Sequence, residues 1–295
     1  MYNPTFSSTF RSTRFGRGGG IARSTNGALT DDVMRQFAPS IFAEEAHGSR
    51  SEKFTYIPTI EVLNGLRKEG FQPYEVRQGG SKDAEKRGFT KHMIRLRQEG
   101  AQQVGDSFRE LILLNAHDGT SSYQLINGVF RLVCSNGLIV SEGEALSMRV
   151  PHKGDIVGDV IEGAFRVIDD GKAIDGQMDE MRALTLHKDE QEAFALAAAE
   201  LRFDEGKNPL RADQINRSAR QADQGSDLWR TFNRVQESLV RGGDRYNQTD
   251  ARGFITARRT TRPVNSVDEN VRLNRALWRL ASEMGKIKTA EPVAA

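Results

Sequence analysis

The sequence contains one cysteine and no long apolar run, and these two absences exclude several classes of protein. A single cysteine among 295 residues rules out an internal disulfide and a cysteine-rich zinc site. No apolar run reaches the roughly 18 residues that a membrane span needs, and the opening stretch MYNPTFSSTFRSTRFGRGGG lacks the apolar segment of a secretory signal. We therefore expect a soluble, cytoplasmic protein without a membrane partner.

Motifs for nucleotide, metal and nucleophile chemistry are also missing. The chain has no GxxxxGK[ST] loop, and no GxGxxG lies between a predicted strand and a predicted helix. It has neither a GxSxG nucleophile elbow nor an HExxH metal motif, and its five histidines are scattered. The sequence therefore predicts a protein that is not an enzyme and uses no cofactor or resident metal.

Composition and periodicity divide the chain into three parts. Residues 1–28 are rich in glycine, serine, threonine and arginine and predict a flexible arm. Residues 29–203 predict an α+β core in which an antiparallel β-meander packs on helices. Residues 204–295 predict a helical C-terminal region, which is locally basic although the formal net charge of the chain is only +2.

The C-terminal region is expected to consist of helices joined by a basic linker. Apolar residues at helical spacing predict a helix that begins near Ser226 and ends at Arg241. The SxxE pattern of Ser266 and Glu269 is typical of a capping box that opens a last helix. The linker 244–265 carries arginines at positions 245, 252, 258, 259 and 262.

The segment KHMIRLRQ, residues 91–98, is the clearest strand of the expected meander. Its alternation places His92, Ile94 and Leu96 on one face and the basic residues on the other. That second face is a candidate contact for nucleic-acid phosphates through Lys91, Arg95 and Arg97. The alternative is that it is only the solvated side of a sheet.

The segment HDGTSSYQLINGVFRLVCSNG, residues 117–137, holds reactive residue types but predicts ordinary structure. HDGT is typical of a turn, and Ser121 or Ser122 would cap a helix that continues to Cys134. Cys134 would then lie roughly 20 Å from the turn, too far for His117 to activate it. A nuclease or hydrolase that uses His117 and Asp118 remains a rival hypothesis.

Arg131 is the only charged residue in the apolar run LINGVFRLV. A lone arginine there must reach solvent, pair with an acid or point at an anion. Both a DNA phosphate and a neighbouring carboxylate therefore remain open as its partner.

The run APSIFAEEAHGSRSEKFTYIPTIEVLNGLRKEGF, residues 38–71, resembles the Rad fifty-two type of single-strand annealing proteins. The resemblance rests on Tyr56-Ile57, on Gly70-Phe71 and on the later G-x-x-R of residues 128–131. It implies a ring or filament of identical subunits that anneals single-stranded DNA without ATP, with a single-strand-binding protein as a further partner. The residues implied to hold DNA are Lys91, Arg95, Arg97, Arg131 and, more weakly, Tyr56.

Three other segments resemble a phage- and plasmid-borne family labelled only as a domain of unknown function. They are FRLVCSNGLIV, LWRTFNRVQESLVRGG and SVDENVRLNRALWRLA. Together the two resemblances predict strand annealing in phage or plasmid homologous recombination. The alternative is a mobile-element protein that binds and inhibits a host defence protein.

Overall fold

A computed structural model of the chain describes residues 10–45, 56–101, 103–131, 136–140, 147–150 and 155–290. The chain forms two compact units. The first comprises residues 1–171 with 265–267, and the second comprises residues 172–264 with 268–295. The sequence had instead placed the boundary after residue 203. Among the described helices, none has both the length and the apolar composition to cross a membrane.

The first unit is built on one antiparallel sheet of nine strands. The strands are β1 Phe10–Arg14, β2 Gly20–Ser24, β3 Phe71–Gln78, β4 His92–Gln98, β5 Gln103–Val104, β6 Ser107–Asn115, β7 Tyr123–Arg131, β8 Asn136–Ile139 and β9 Ser147–Val150. The main order is β1-β2-β3-β4-β6-β7-β8, with β5 paired to β6 and β9 paired to β7. The expected α+β class with an antiparallel meander is confirmed.

Three α-helices of this unit pack against one face of the sheet. They are α1 Asp31–Phe37, α2 Thr59–Lys68 and α3 Ile156–Asp170. The side chains of Thr30 and Asp155 cap α1 and α3. The helices enclose a core with alternate strand residues such as Ile94, Leu96 and Leu125. Each of these side chains is fully buried, so this layer supplies most of the apolar burial that stabilises the unit.

The segment that was predicted to be a helix after Ser122 is the strand β7. Tyr123 and Leu125 face the helices, whereas Ile126 and Phe130 lie on the opposite face, and all four are buried. A strand buried on both faces has a continuous apolar run without alternation, which periodicity alone cannot distinguish from a buried helix. The predicted end of that helix, Cys134, lies outside the described residues.

The N-terminal segment from residue 10 onward joins the sheet, which corrects the prediction of a flexible arm for that part. β2 pairs with β3, and β1 forms the outer edge beside β2. Ala22 is buried in the core, and Arg23 forms an ion pair with Glu75 at 2.6 Å. A Cβ at Gly20 would lie 2.6 Å from the Phe37 carbonyl oxygen, so the close approach of α1 requires glycine there. Residues 1–9 lie outside the described part.

The second unit contains five α-helices and a two-stranded hairpin. The helices are α4 Lys172–Ala183, α5 Lys188–Arg202, α6 Ala212–Ile215, α7 Leu228–Gln236 and α8 Val267–Thr289. Trp229, Phe232 and Trp278 are buried together, with ring centroids 5.7–6.5 Å apart. The segment 244–265, which was predicted to be a basic linker, instead contains the antiparallel pair β10 Arg245–Thr249 and β11 Ile255–Thr260.

Candidate nucleic-acid interface

The basic face of β4 is buried inside the first unit. Arg95 is 1% exposed and Arg97 is 7% exposed. Glu110 on β6 binds both, because one carboxylate oxygen lies 2.5 Å from Arg95 Nε and the other lies 2.8 Å from Arg97 Nε. The alternation was predicted correctly, but neither guanidinium is at a surface where a phosphate could reach it.

The sheet curls, and the curl is what covers this face. Arg23 on β2 lies 5.9 Å from the ring centroid of Phe130 on β7, although a flat sheet would set those strands about 19 Å apart. The Arg97 guanidinium lies 4.1 Å from the Tyr74 ring centroid and 4.2 Å from that of Phe130. The concave face is therefore a packed interior in which arginines contact aromatic rings.

Carboxylates partly balance the arginines of this interior. Burial alone would raise the pKa of Glu75, but the charges of Arg23, Arg77 and Arg95 outweigh burial and lower it. Burial lowers the pKa of Arg77 to about 10, and Glu75 offsets only part of that effect. The described residues of this cluster thus hold four arginines for two glutamates, and removing a carboxylate would leave buried positive charge uncompensated.

The other residues implied by the first resemblance also have partners within the fold. Arg131 is 2% exposed and its Nε forms an ion pair with Asp106, so the carboxylate alternative holds here. Lys91 lies just before β4, half-buried, and its carbonyl accepts from Gly79. The Tyr56 hydroxyl donates to the carbonyl of Ala43.

His117 and Asp118 lie in different surroundings. His117 is fully buried and its Nε2 lies 3.0 Å from the Thr59 hydroxyl. Asp118 instead accepts from the backbone N–H and the hydroxyl of Thr120, which closes the predicted turn. The His-Asp stretch therefore joins a buried hydrogen-bonded cluster to a surface turn.

Thr59, the first residue of α2, is the centre of that cluster. Its Oγ1 accepts from Asn115 Nδ2 at 3.0 Å and lies 2.9 Å from His92 Nε2, in addition to His117. A hydroxyl has one proton and two lone pairs, so one histidine donates to it and the other accepts from it. Ser40 Oγ continues the chain at 2.9 Å from His92 Nδ1. The cluster ties α2 and the segment before it to the middle of the sheet.

Replacing Thr59 with valine is expected to lower the free energy of unfolding by about 2 kcal/mol, because three buried polar groups lose a partner. Replacement with serine keeps the hydroxyl and is the matched control, with an expected loss of less than about 1 kcal/mol. Urea titration followed by circular dichroism measures both. Equal losses in the two variants would contradict the role given to the hydroxyl.

The same cluster predicts that stability falls in mild acid. Burial lowers the pKa of His92 well below its ordinary value, and nearby His117 lowers it further. As the pH falls through about 6.5, the imidazole of residue 92 takes up a proton in the unfolded chain but stays neutral in the folded chain, so the free energy of unfolding decreases below that pH. We expect His92→Gln to reduce the decrease in unfolding free energy between pH 7.5 and pH 5.5 by about 1 kcal/mol. An unchanged pH slope in urea titrations would contradict this.

Four exposed arginines of the second unit lie on the β10–β11 hairpin. Arg245, Arg252, Arg258 and Arg259 are all exposed, and within the described residues none of them has a carboxylate partner. Register places Arg245 and Arg258 on one face, because Arg245 pairs with Thr260 and Asn247 pairs with Arg258. Both strands of the ribbon thus present guanidinium groups to solvent.

The tip of this hairpin is ordered by Asp250. Its carboxylate oxygen accepts from the backbone N–H groups of Arg252 and Phe254, both at 2.9 Å. Asp250 N also donates to the Phe254 carbonyl at 3.0 Å, and Gly253 takes a φ of +85° that glycine permits. The turn presents two apolar side chains, Phe254 at 69% exposure and Ile255 at 58%.

A groove of about 680 Å³ runs along the base of the hairpin, within the size range of ligand-binding clefts. Its lining consists of Pro209, Arg211, Gln214, Arg245, Tyr246, Asn247, Arg258, Arg259 and Thr260. Gln214 Nε2 donates to the Arg245 carbonyl at 3.0 Å, which ties α6 to β10. Arg211 pairs with Asp213, so the positive charge of the groove comes chiefly from the three hairpin arginines. Such a surface can bind a chain of phosphates.

Comparison with known proteins places the chain in a family. A family model described as "Domain of unknown function (DUF932)" matches residues 46–278. The chain belongs to the DUF932 family. Its relatives include two proteins of Escherichia coli strain K12, the UPF0380 protein YfjQ and the UPF0380 protein YafZ. Each is 44% identical over 272 residues, which cover 92% of this chain and 96% of the relative. No solved structure matches the chain.

The DUF932 match takes in both the curled sheet from β3 onward and the hairpin. The hairpin arginines lie in the segment 244–265, which was predicted to be a basic linker. A signal was present, since Asp250 and Gly253 are typical turn residues and lie between segments that contain Tyr246 and Ile255. The hairpin is therefore part of the DUF932 domain and offers the exposed cationic surface that β4 does not.

Proposed function

We propose that this DUF932 protein binds single-stranded DNA and anneals complementary strands without nucleotide hydrolysis, in phage or plasmid homologous recombination in the cytoplasm. The observation that carries the proposal is the hairpin ribbon, with exposed arginines on both strands and no carboxylate partner for them among the described residues. Free guanidinium groups gain most from phosphate contacts, because no internal ion pair must be broken first.

A ribbon of this kind is better suited to strand annealing than to sequence-specific recognition of DNA. Arginines that hold phosphates leave the base edges free to pair with a complementary strand. The resemblance of residues 38–71 to the Rad fifty-two type of annealing proteins supports the same function. It also supports assembly of several identical subunits along one strand.

The test uses the purified full chain with a labelled oligonucleotide and its complement, without ATP or added metal. We expect retention of the single strand at low salt, faster annealing than the spontaneous reaction, and rings or spirals by negative-stain microscopy. Binding should weaken steeply as salt rises, because phosphate contacts release counterions. Failure both to retain the strand and to accelerate annealing would overturn the proposal. Metal-dependent loss of the oligonucleotide would also overturn it, in favour of a nuclease.

A further inference from the structure

We propose that the tip of the hairpin is a base-stacking site, where Phe254 packs against an unpaired base of the strand that the ribbon arginines hold. This inference rests on the proposed function and adds which part of the DNA the protein recognises. Phe254 and the next residue along the chain, Ile255, expose 69% and 58% of their surface, whereas Phe232 in the same unit is buried. A large aromatic side chain that is this exposed at an ordered turn is a candidate binding residue.

The tip is built to hold Phe254 in a fixed place. The Asp250 carboxylate accepts hydrogen bonds from the backbone N–H groups of Arg252 and Phe254, and the Asp250 N–H donates to the Phe254 carbonyl. These bonds satisfy backbone groups of the turn and engage one carboxylate oxygen of Asp250. Less conformational freedom is therefore lost when a ligand packs on the ring, which favours binding.

The chemistry around the ring points to a nucleic-acid base. Arg252 lies two residues before Phe254, and Arg245 and Arg258 continue the positive charge toward the base of the ribbon. A ligand that fits must carry negative charge along its length and a flat apolar surface at intervals, as single-stranded DNA does. The five residues of β10 span about 16 Å, so the arginines near the groove and the tip would contact different nucleotides.

Base stacking also predicts selectivity for single strands. A duplex buries the faces of its bases, so it offers the tip no stacking partner and can use only the arginines. Single strands expose those faces without prior unpairing. The tip would thus distinguish the two forms of DNA without reading the sequence.

The experiment compares Phe254→Ala with the native chain in fluorescence-anisotropy titrations at several salt concentrations. We expect affinity for a single-stranded oligonucleotide to fall roughly tenfold, with an unchanged salt slope because no phosphate contact is removed. Duplex affinity should not change, and Phe254→Trp should bind like the native chain. Ile287→Ala is the matched control, since Ile287 is 72% exposed on α8, and it should leave binding unchanged.

A second measurement places 2-aminopurine in the oligonucleotide, whose fluorescence should be quenched by the native chain and less so by Phe254→Ala. Unchanged single-strand affinity in Phe254→Ala, an equal loss on single and double strands, or equal quenching would each overturn the stacking site. Those results would leave the proposed function intact, provided that the native chain still binds and anneals. If the native chain binds no DNA, the proposed function itself fails, and a protein partner for the tip would be the next hypothesis.

Discussion

Replacing Glu110 with glutamine is expected to lower the free energy of unfolding by about 3–5 kcal/mol. Glu110 is 1% exposed and binds Arg95 and Arg97 through separate oxygens. Glutamine keeps the shape of the side chain but removes its charge, so both arginines would stay buried without that carboxylate. Glu75 already balances Arg23 and Arg77 and has little capacity to replace it. Urea or guanidinium unfolding of the full chain measures the loss.

Glu283→Gln is the control for this change. Glu283 pairs with Lys286 on the exposed surface of α8, where solvent screens both charges, so the substitution should leave stability nearly unchanged. A Glu110→Gln variant as stable as this control would contradict the assignment of Glu110 as the counter-charge of Arg95 and Arg97. Near-ultraviolet circular dichroism would show whether the packing of Tyr74 and Phe130 against Arg97 is lost at the same time.

The sequence was informative wherever one face of an element is apolar and the other is polar. The strand around Ile94 and the helix predicted to begin near Ser226 follow such patterns, and the structure contains β4 and α7 there. β7 was misassigned because both of its faces are buried. Nothing in the sequence around Gly128 excludes a helix, but in the strand a Cβ at this position would lie 2.7 Å from Ile112 Cδ1. The need for glycine comes from the neighbouring strand β6 and cannot be predicted from the residues around position 128.

The burial of Arg95 and Arg97 could not be predicted because alternation assigns a face but not what covers it. The curl of the sheet brings Arg23 and Phe130 together across three intervening strands, and Glu110 belongs to a different strand from its partners. The pairing of Glu110 with Arg95 and Arg97 depends on the register between β4 and β6, and no short stretch of sequence predicts that register. Conversely, β10 has no apolar face, so it lacks the alternation that predicts a strand, and the exposed arginines of the hairpin were assigned to a linker.

Replacing Arg245, Arg258 and Arg259 together with glutamine is expected to weaken single-strand binding about 100-fold at about 0.1 M salt. Each phosphate contact on a single strand contributes about 0.7 to the slope of log affinity against log salt, so the slope should also become shallower by about 2. All three side chains are exposed, so the fold should persist, and an unchanged unfolding midpoint would verify that. Annealing should be lost in parallel, because it requires the strand to be held.

The matched control replaces Arg272, Arg279 and Lys286 on α8 with glutamine, which removes the same number of positive charges from another exposed surface. Two of these residues already pair with neighbouring glutamates, so this variant should bind with nearly native affinity and salt slope. Equal weakening in both variants would mean that only net charge matters and that the hairpin is not the site. A large loss confined to the hairpin variant, with a shallower slope, requires direct phosphate contacts by that ribbon, since a general field would act on both variants alike.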